Sequence, residues 1–202
     1  MDIYKEYFTT YYNKTREYFL NYFESTLEIN EENYSDIVFQ PADAEAEIWE
    51  LRNSKGIELP QHFLNFYKSC RTLEIHQIPF AGITIATACV DQPGRISNWI
   101  DRELISPDSG LIPFGTYQDE WEICLDISGQ ANSANPPIRL FELSSWREKE
   151  GAISPKVWFS SFDNFILCLT DYLKSDGSDN FSKLDPNNNF ETAYPYWNQT
   201  SG

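Results

Sequence analysis

The chain has 202 residues, 41% hydrophobic and 16% aromatic, with 15 Lys plus Arg against 31 Asp plus Glu. This length suits one large domain, or one domain with an appended arm, and excludes two full-size domains; the aromatic content supplies enough apolar area to exclude a disordered chain. A formal charge of −16 and a pI near 4.4 argue against docking on nucleic-acid phosphates or an anionic bilayer and favour a basic partner, although the same field also serves solubility.

Residues 1–27 are crowded with rings. Tyr4, Phe8, Tyr11, Thr15, Tyr18 and Tyr22 fall on one helical stripe with Lys5, Glu6, Lys14, Arg16 and Glu17 elsewhere, which predicts an amphipathic helix. Its rings either pack onto the main domain or form an exposed aromatic docking face. Glu28 to Asp36 is an acidic, turn-rich connector. Pro41 suits a first helical position, Asp43 and Glu45 favour the positive end of a helix dipole, and Ala44, Ile48 and Leu51 form a buried stripe that Gly56 ends. Pro60 opens a second helix carrying Phe63, Phe66, Tyr67 and Cys70 at three-four spacing, with Leu59 ahead of it as a staple.

From Leu73 to Cys89 the chain turns β-branched and aromatic, broken by Pro79 and Ala81-Gly82, as two short strands require. Ile96 to Leu104 reads as a short helix between turns at Asp91–Gly94 and Pro107–Gly110. Leu111–Gly115 and Trp121–Ile127 read as strands, the second turning Trp121, Ile123, Leu125 and Ile127 inward and Glu122, Cys124 and Asp126 outward. Ile138 to Leu143 and Lys156 to Phe159 are further extended segments. Ser160 and Asp163 suit the start of a last helix with an apolar face of Phe162, Phe165, Ile166, Leu169 and Leu173, closed by Gly177. The organisation expected is residues 1–36, an N-terminal helix and connector; 37–174, the main domain; and 175–202, an Asn-rich tail ordered where its rings dock. Grouped strands between leading and closing helices make the fold class α+β.

No window offers the run of roughly 18 apolar residues that a membrane span requires, and the mean hydropathy is −0.49. The first residues lack a basic stretch followed by an apolar one, so the expected location is cytoplasmic. Four sequons, at Asn13, Asn33, Asn180 and Asn198, then read as chance. Cys70, Cys89, Cys124 and Cys168 lie far apart among apolar neighbours, as reduced core cysteines do. His62 and His76 have no Cys or His at a ligand spacing, and no phosphate-cradling or nucleophile motif occurs, so neither metal nor cofactor is expected. Asp119, Glu120 and Glu122 around Trp121 offer paired carboxylates, but such runs arise by chance in so acidic a chain and consecutive strand residues face apart. The chain is read as no enzyme.

The helix ending in Gly56-Ile57-Glu58-Leu59-Pro60, the helix Gln61 to Cys70, the block Leu111-Ile112-Pro113-Phe114-Gly115 leading into Glu122-Ile123-Cys124-Leu125-Asp126, and the final Ser161-Phe162-Asp163-Asn164-Phe165-Ile166 resemble, in order and spacing, the SUKH superfamily of Smi/Knr-like proteins. The resemblance covers about residues 40–174. It departs at Ser69-Cys70-Arg71-Thr72, where the family usually has an Asn-Gly turn. It implies a central mixed, largely antiparallel sheet flanked by helices, to which this chain adds its N-terminal aromatic helix. Bacterial members look like immunity proteins that neutralise a polymorphic or contact-dependent toxin, often a nuclease; fungal relatives act in cell-wall and signalling regulation. The expectation is therefore a cytosolic immunity protein that binds a basic toxin domain, with a regulatory scaffold of the same fold as the alternative.

The binding surface is expected on two loops that mix charge for steering with rings for anchoring. They carry Asp91, Trp99, Asp101, Glu103 and Asp108 in one, and Tyr117, Asp119, Glu120, Trp121 and Glu122 in the other. The N-terminal aromatic helix is the competing surface.

Overall fold

A computed structural model describes residues 2–23, 44–69, 76–78, 83–85, 96–101, 110–117, 121–129, 134–142 and 156–175. Helix α1 spans Ile3–Phe23. The Asp2 carboxylate caps it by accepting from the N–H groups of Tyr4 at 3.0 Å and Lys5 at 3.4 Å, which satisfies donors that the first turn leaves open. Tyr4, Tyr7, Phe8, Tyr11 and Tyr12 are all buried, at the i, i+3, i+4, i+7, i+8 positions of one helical face. That decides between the two readings of the aromatic stripe: as far as the described side chains extend, its rings pack into the domain. Thr15, Tyr18 and Tyr22 have side chains outside the description.

Helix α2, Glu45–Lys55, starts at Ala44 without a side-chain cap and ends at Gly56, whose φ of 67° belongs to the left-handed region that glycine enters at little cost. Pro41 and Asp43 lie outside the described residues. The chain reverses through buried Leu59 and Pro60 into α3, Gln61–Ser69. Strands β1, His76–Ile78, and β2, Ile83–Ile85, precede α4, Ile96–Asp101. Then come β3, Leu111–Tyr117, β4, Trp121–Asp126, β5, Ile138–Glu142, β6, Lys156–Phe159, and α5, Phe162–Lys174.

The strands form one six-stranded sheet in sequence order, and each pairing is antiparallel. The fold is thus α+β and the sheet antiparallel, with no parallel pairing among the described strands. The connections from β1 to β2, residues 79–82, and from β3 to β4, residues 118–120, are hairpin-short, whereas residues 86–110, with α4 among them, join β2 to β3, and sequential strands still pair as neighbours. Pro113 has no N–H for the ladder, and the register of β3 against β4 shifts between Pro113 and Gly115. Gly115 then passes so near β2 that a Cβ there would stand 2.4 Å from the Thr84 carbonyl oxygen.

One face of the sheet meets the helices through rings. Phe114 of β3 lies 5.3 Å from Phe63 of α3 and 5.8 Å from Phe162 of α5 between ring centroids, both edge-to-face, the geometry aromatic quadrupoles favour. Helix α1 adds to this core through Phe66 of α3, which stacks on Phe8 at 5.1 Å and meets Tyr4 and Tyr7.

Two local expectations change. Ser161, not Ser160, caps α5, its hydroxyl accepting from the Asn164 N–H at 3.2 Å. The cap residue at the other end of α5 is Ser175, and Gly177 lies outside the described residues. The residues of β4 expected to face solvent, Glu122, Cys124 and Asp126, are buried. The second face of the sheet carries its own small cluster of Leu111 and Cys124 with Phe141 against it, so alternation in β4 separates two covered faces rather than core from water.

Candidate interaction surfaces

Three polar nodes are built into the described structure. The first centres on Glu47 of α2, a buried carboxylate. It accepts from the Tyr67 hydroxyl of α3 on one oxygen, and from the N–H of Ser97 at 2.9 Å and its hydroxyl at 2.8 Å on the other. Glu47 thereby fixes the start of α4 against α2 and α3. Three donors on two oxygens are what a buried carboxylate needs to offset its desolvation.

The second node joins four segments at Asp163, in the first turn of α5. Its carboxylate accepts from the Tyr4 hydroxyl at 2.7 Å and pairs with Nδ1 of His62 at 2.9 Å. Its own N–H donates to the side-chain oxygen of Asn135 at 3.1 Å, while the His62 N–H donates to the Ala134 carbonyl at 2.9 Å. Burial, reinforced by the hydrogen bond to Asp163 and that residue's charge, raises the Tyr4 phenol well above its ordinary pKa. A carboxylate on Nδ1 with Nε2 turned from it is half of an acid–base relay. No hydroxyl or thiol among the described residues hydrogen-bonds the His62 ring, and the contacts of the node tie α1, α3 and α5 together.

The third node is on the far face of the sheet, where Asp126 of β4 pairs with Arg139 of β5 and accepts from the hydroxyl of Ser128 at 2.5 Å and its N–H at 3.0 Å. Burial pushes the Asp126 carboxyl upward, but the hydrogen bonds from Ser128 and Arg139 and the guanidinium charge outweigh it, and the net shift is downward. Beside it, burial first and then the charges of Glu122 and Asp126 push the Cys124 thiol up. A thiol held protonated in this way is a poor nucleophile.

The outer surface differs from these nodes. The exposed large hydrophobics among the described residues are Trp49 on α2, Val157 on β6 and Leu167 on α5. Compared with known protein families, the chain matches the SMI1 / KNR4 family (SUKH-1) over residues 44–168, more than half its length. The chain belongs to the SMI1/KNR4 (SUKH-1) family. No curated protein and no solved structure matches it.

The SMI1/KNR4 match begins at Ala44, ahead of α2, includes every strand of the sheet and ends inside α5. Helix α1 lies outside it and still contributes five buried rings to the same core. No described helix is long and apolar enough to cross a membrane.

Of the ten residues expected to bind a partner, two have buried side chains. Tyr117 is buried, with its ring 5.8 Å from Trp158 in the core, and Glu122 is buried on the second sheet face. Both sit within strands whose two faces are covered. Trp121 is partly buried against the core. The backbone of Trp99 and Asp101 lies in α4, with side chains outside the description; Asp91, Glu103, Asp108, Asp119 and Glu120 lie outside the described residues. The competing aromatic helix is docked, as described above. Sequence reading missed the nodes at Glu47 and Asp163 and the exposed Trp49. The last had a signal: relative to the stripe Ala44, Ile48 and Leu51, Trp49 stands off the apolar face of its helix.

Proposed function

We propose that this SMI1/KNR4-family protein is an immunity-type binder that neutralises a basic toxin domain, a nuclease of a polymorphic or contact-dependent system, in the cytoplasm. The observation that carries the reading is the charge of −16 on a chain of this family. A toxin that grips phosphates must itself be cationic, and an acidic inhibitor accelerates its capture and discriminates against acidic bystanders. The protein acts by binding, without a catalytic step, metal or cofactor. Asp91, Asp101, Glu103, Asp108, Asp119 and Glu120 supply steering charge in this reading, with Trp99 as a ring beside them; Tyr117 and Glu122 take no part.

The test is co-expression in a bacterial host with the toxin domain encoded beside this chain's gene. Restored growth and a stable complex of the two purified proteins are expected. Growth arrest equal to that with an empty vector, together with separate elution, would overturn the reading. Replacing Asp119 and Glu120 by their amides is expected to slow association and flatten its salt dependence without changing the melting temperature.

A further inference from the structure

Helix α2 turns Glu47 and Leu51 into the protein and Trp49 out of it. Two residues past Glu47, Trp49 stands about 200° round the helix from that buried carboxylate, and it is 66% exposed, whereas Val157 and Leu167 reach only 37% and 39%. Tryptophan combines a large rigid face with a polar edge and is concentrated among the few residues that dominate interface affinity.

The charges around Trp49 indicate what it receives. Glu45, one turn before, is paired with Lys68 of α3 at 2.6 Å. Arg52, nearly one turn after, is paired with Glu58 at 3.2 Å. The side-chain amide of Asn53 is turned back onto the Trp49 carbonyl at 2.8 Å. Glu50, next to Trp49 and exposed, has no hydrogen bond or ion pair among the described residues. Once the two ion pairs are set against each other, an uncompensated carboxylate beside an uncovered indole is what this stretch of helix presents.

We propose that Trp49 and Glu50 form a receptor for a cationic side chain, an arginine above all, of a basic protein partner; this rests on the binding reading of the preceding subsection and names one contact point within it. A guanidinium lying on the indole face gains a cation–π contact, and its N–H groups at the rim donate to the Glu50 carboxylate. Lysine satisfies the charge but not the planar stack, so arginine is preferred.

The full chain, labelled with nitrogen-15, is titrated with a nona-arginine peptide while the indole N–H signals of its six tryptophans are followed. The Trp49 signal is identified by its loss in Trp49→Phe. It is expected to shift at lower peptide concentration than the other five, and Trp49→Ala and Glu50→Gln are each expected to weaken peptide binding about threefold to tenfold with an unchanged melting temperature. A Trp49 signal that moves no more than the others, or Trp49→Ala binding the peptide as wild type does, overturns the site. A chain that protects against its neighbouring toxin without the Trp49 response loses this inference and keeps the proposed function. A Trp49 response without protection does the reverse.

Discussion

The hydroxyl of Tyr4 donates to the carboxylate of Asp163 at 2.7 Å across 159 residues of sequence, fastening a helix outside the family match to the first turn of one inside it. Glu6 and Lys174 add a second tie at 2.5 Å between the same two helices. Helix α1 is therefore bound to the domain by polar contacts at its ring-bearing end as well as by the rings themselves.

Tyr4→Phe removes the hydrogen bond and keeps the ring, so it is expected to cost about 1 kcal/mol at neutral pH by denaturant unfolding. Because the folded-state phenol pKa is raised, the stabilisation is full below the unfolded value of about 10 and is lost as pH climbs beyond it. The gap between wild type and Tyr4→Phe should consequently close in alkaline solution. A gap that widens above pH 10 would contradict the assignment.

Deleting residues 1–23 uncovers the faces of α3 and α5 that meet the five buried rings of α1. Burial of one such ring is worth about 1.5–3 kcal/mol, so five of them rival the about 5–15 kcal/mol that holds a domain folded. The truncated chain is expected to lose its cooperative thermal transition and to bind a hydrophobic dye. Phe66→Ala, in the full chain, should cost about 3–5 kcal/mol. A sharp melt in the truncated chain at the wild-type temperature would refute the dependence.

Glu47→Ala leaves the Tyr67 hydroxyl and both donors of Ser97 without their acceptor in the interior. A loss of about 2–4 kcal/mol is expected, with faster amide hydrogen exchange at Ser97 than at the core strands. Exchange at Ser97 unchanged from wild type would show that α4 is held by something else.

Asp126 has a folded-state pKa below its ordinary value. Its ionised form thus contributes stability that is complete above the unfolded value of about 4 and fades as pH falls toward the folded one. Asp126→Asn should be less stable than wild type at pH 7, and the difference should shrink in unfolding curves taken between about pH 4 and pH 2. A difference constant over that range would mean that the pairing with Arg139 and Ser128 contributes nothing through charge.

Much of the fold follows from short-range pattern. The apolar stripes of α3 and α5, the positive-φ glycine after α2 and two strands, read at Leu111–Gly115 and Trp121–Ile127 and observed at Leu111–Tyr117 and Trp121–Asp126, are readable, because helical and extended backbones impose periods that neighbouring residues must respect. Composition likewise determines the acidity. The face that Glu122, Cys124 and Asp126 turn to is not readable in that way: alternation says that these residues oppose Ile123 and Leu125, and only the assembled sheet says that both sides are covered. The same holds for Glu47, which reads as a first-turn acid until Tyr67 and Ser97 close on it. It holds too for Asp163, which reads as a helix-start carboxylate until Tyr4 and His62 arrive from elsewhere in the chain. Which buried polar group finds which partner is decided by long-range proximity, since the free energy of such a contact depends on groups far apart in sequence that meet only when the core packs.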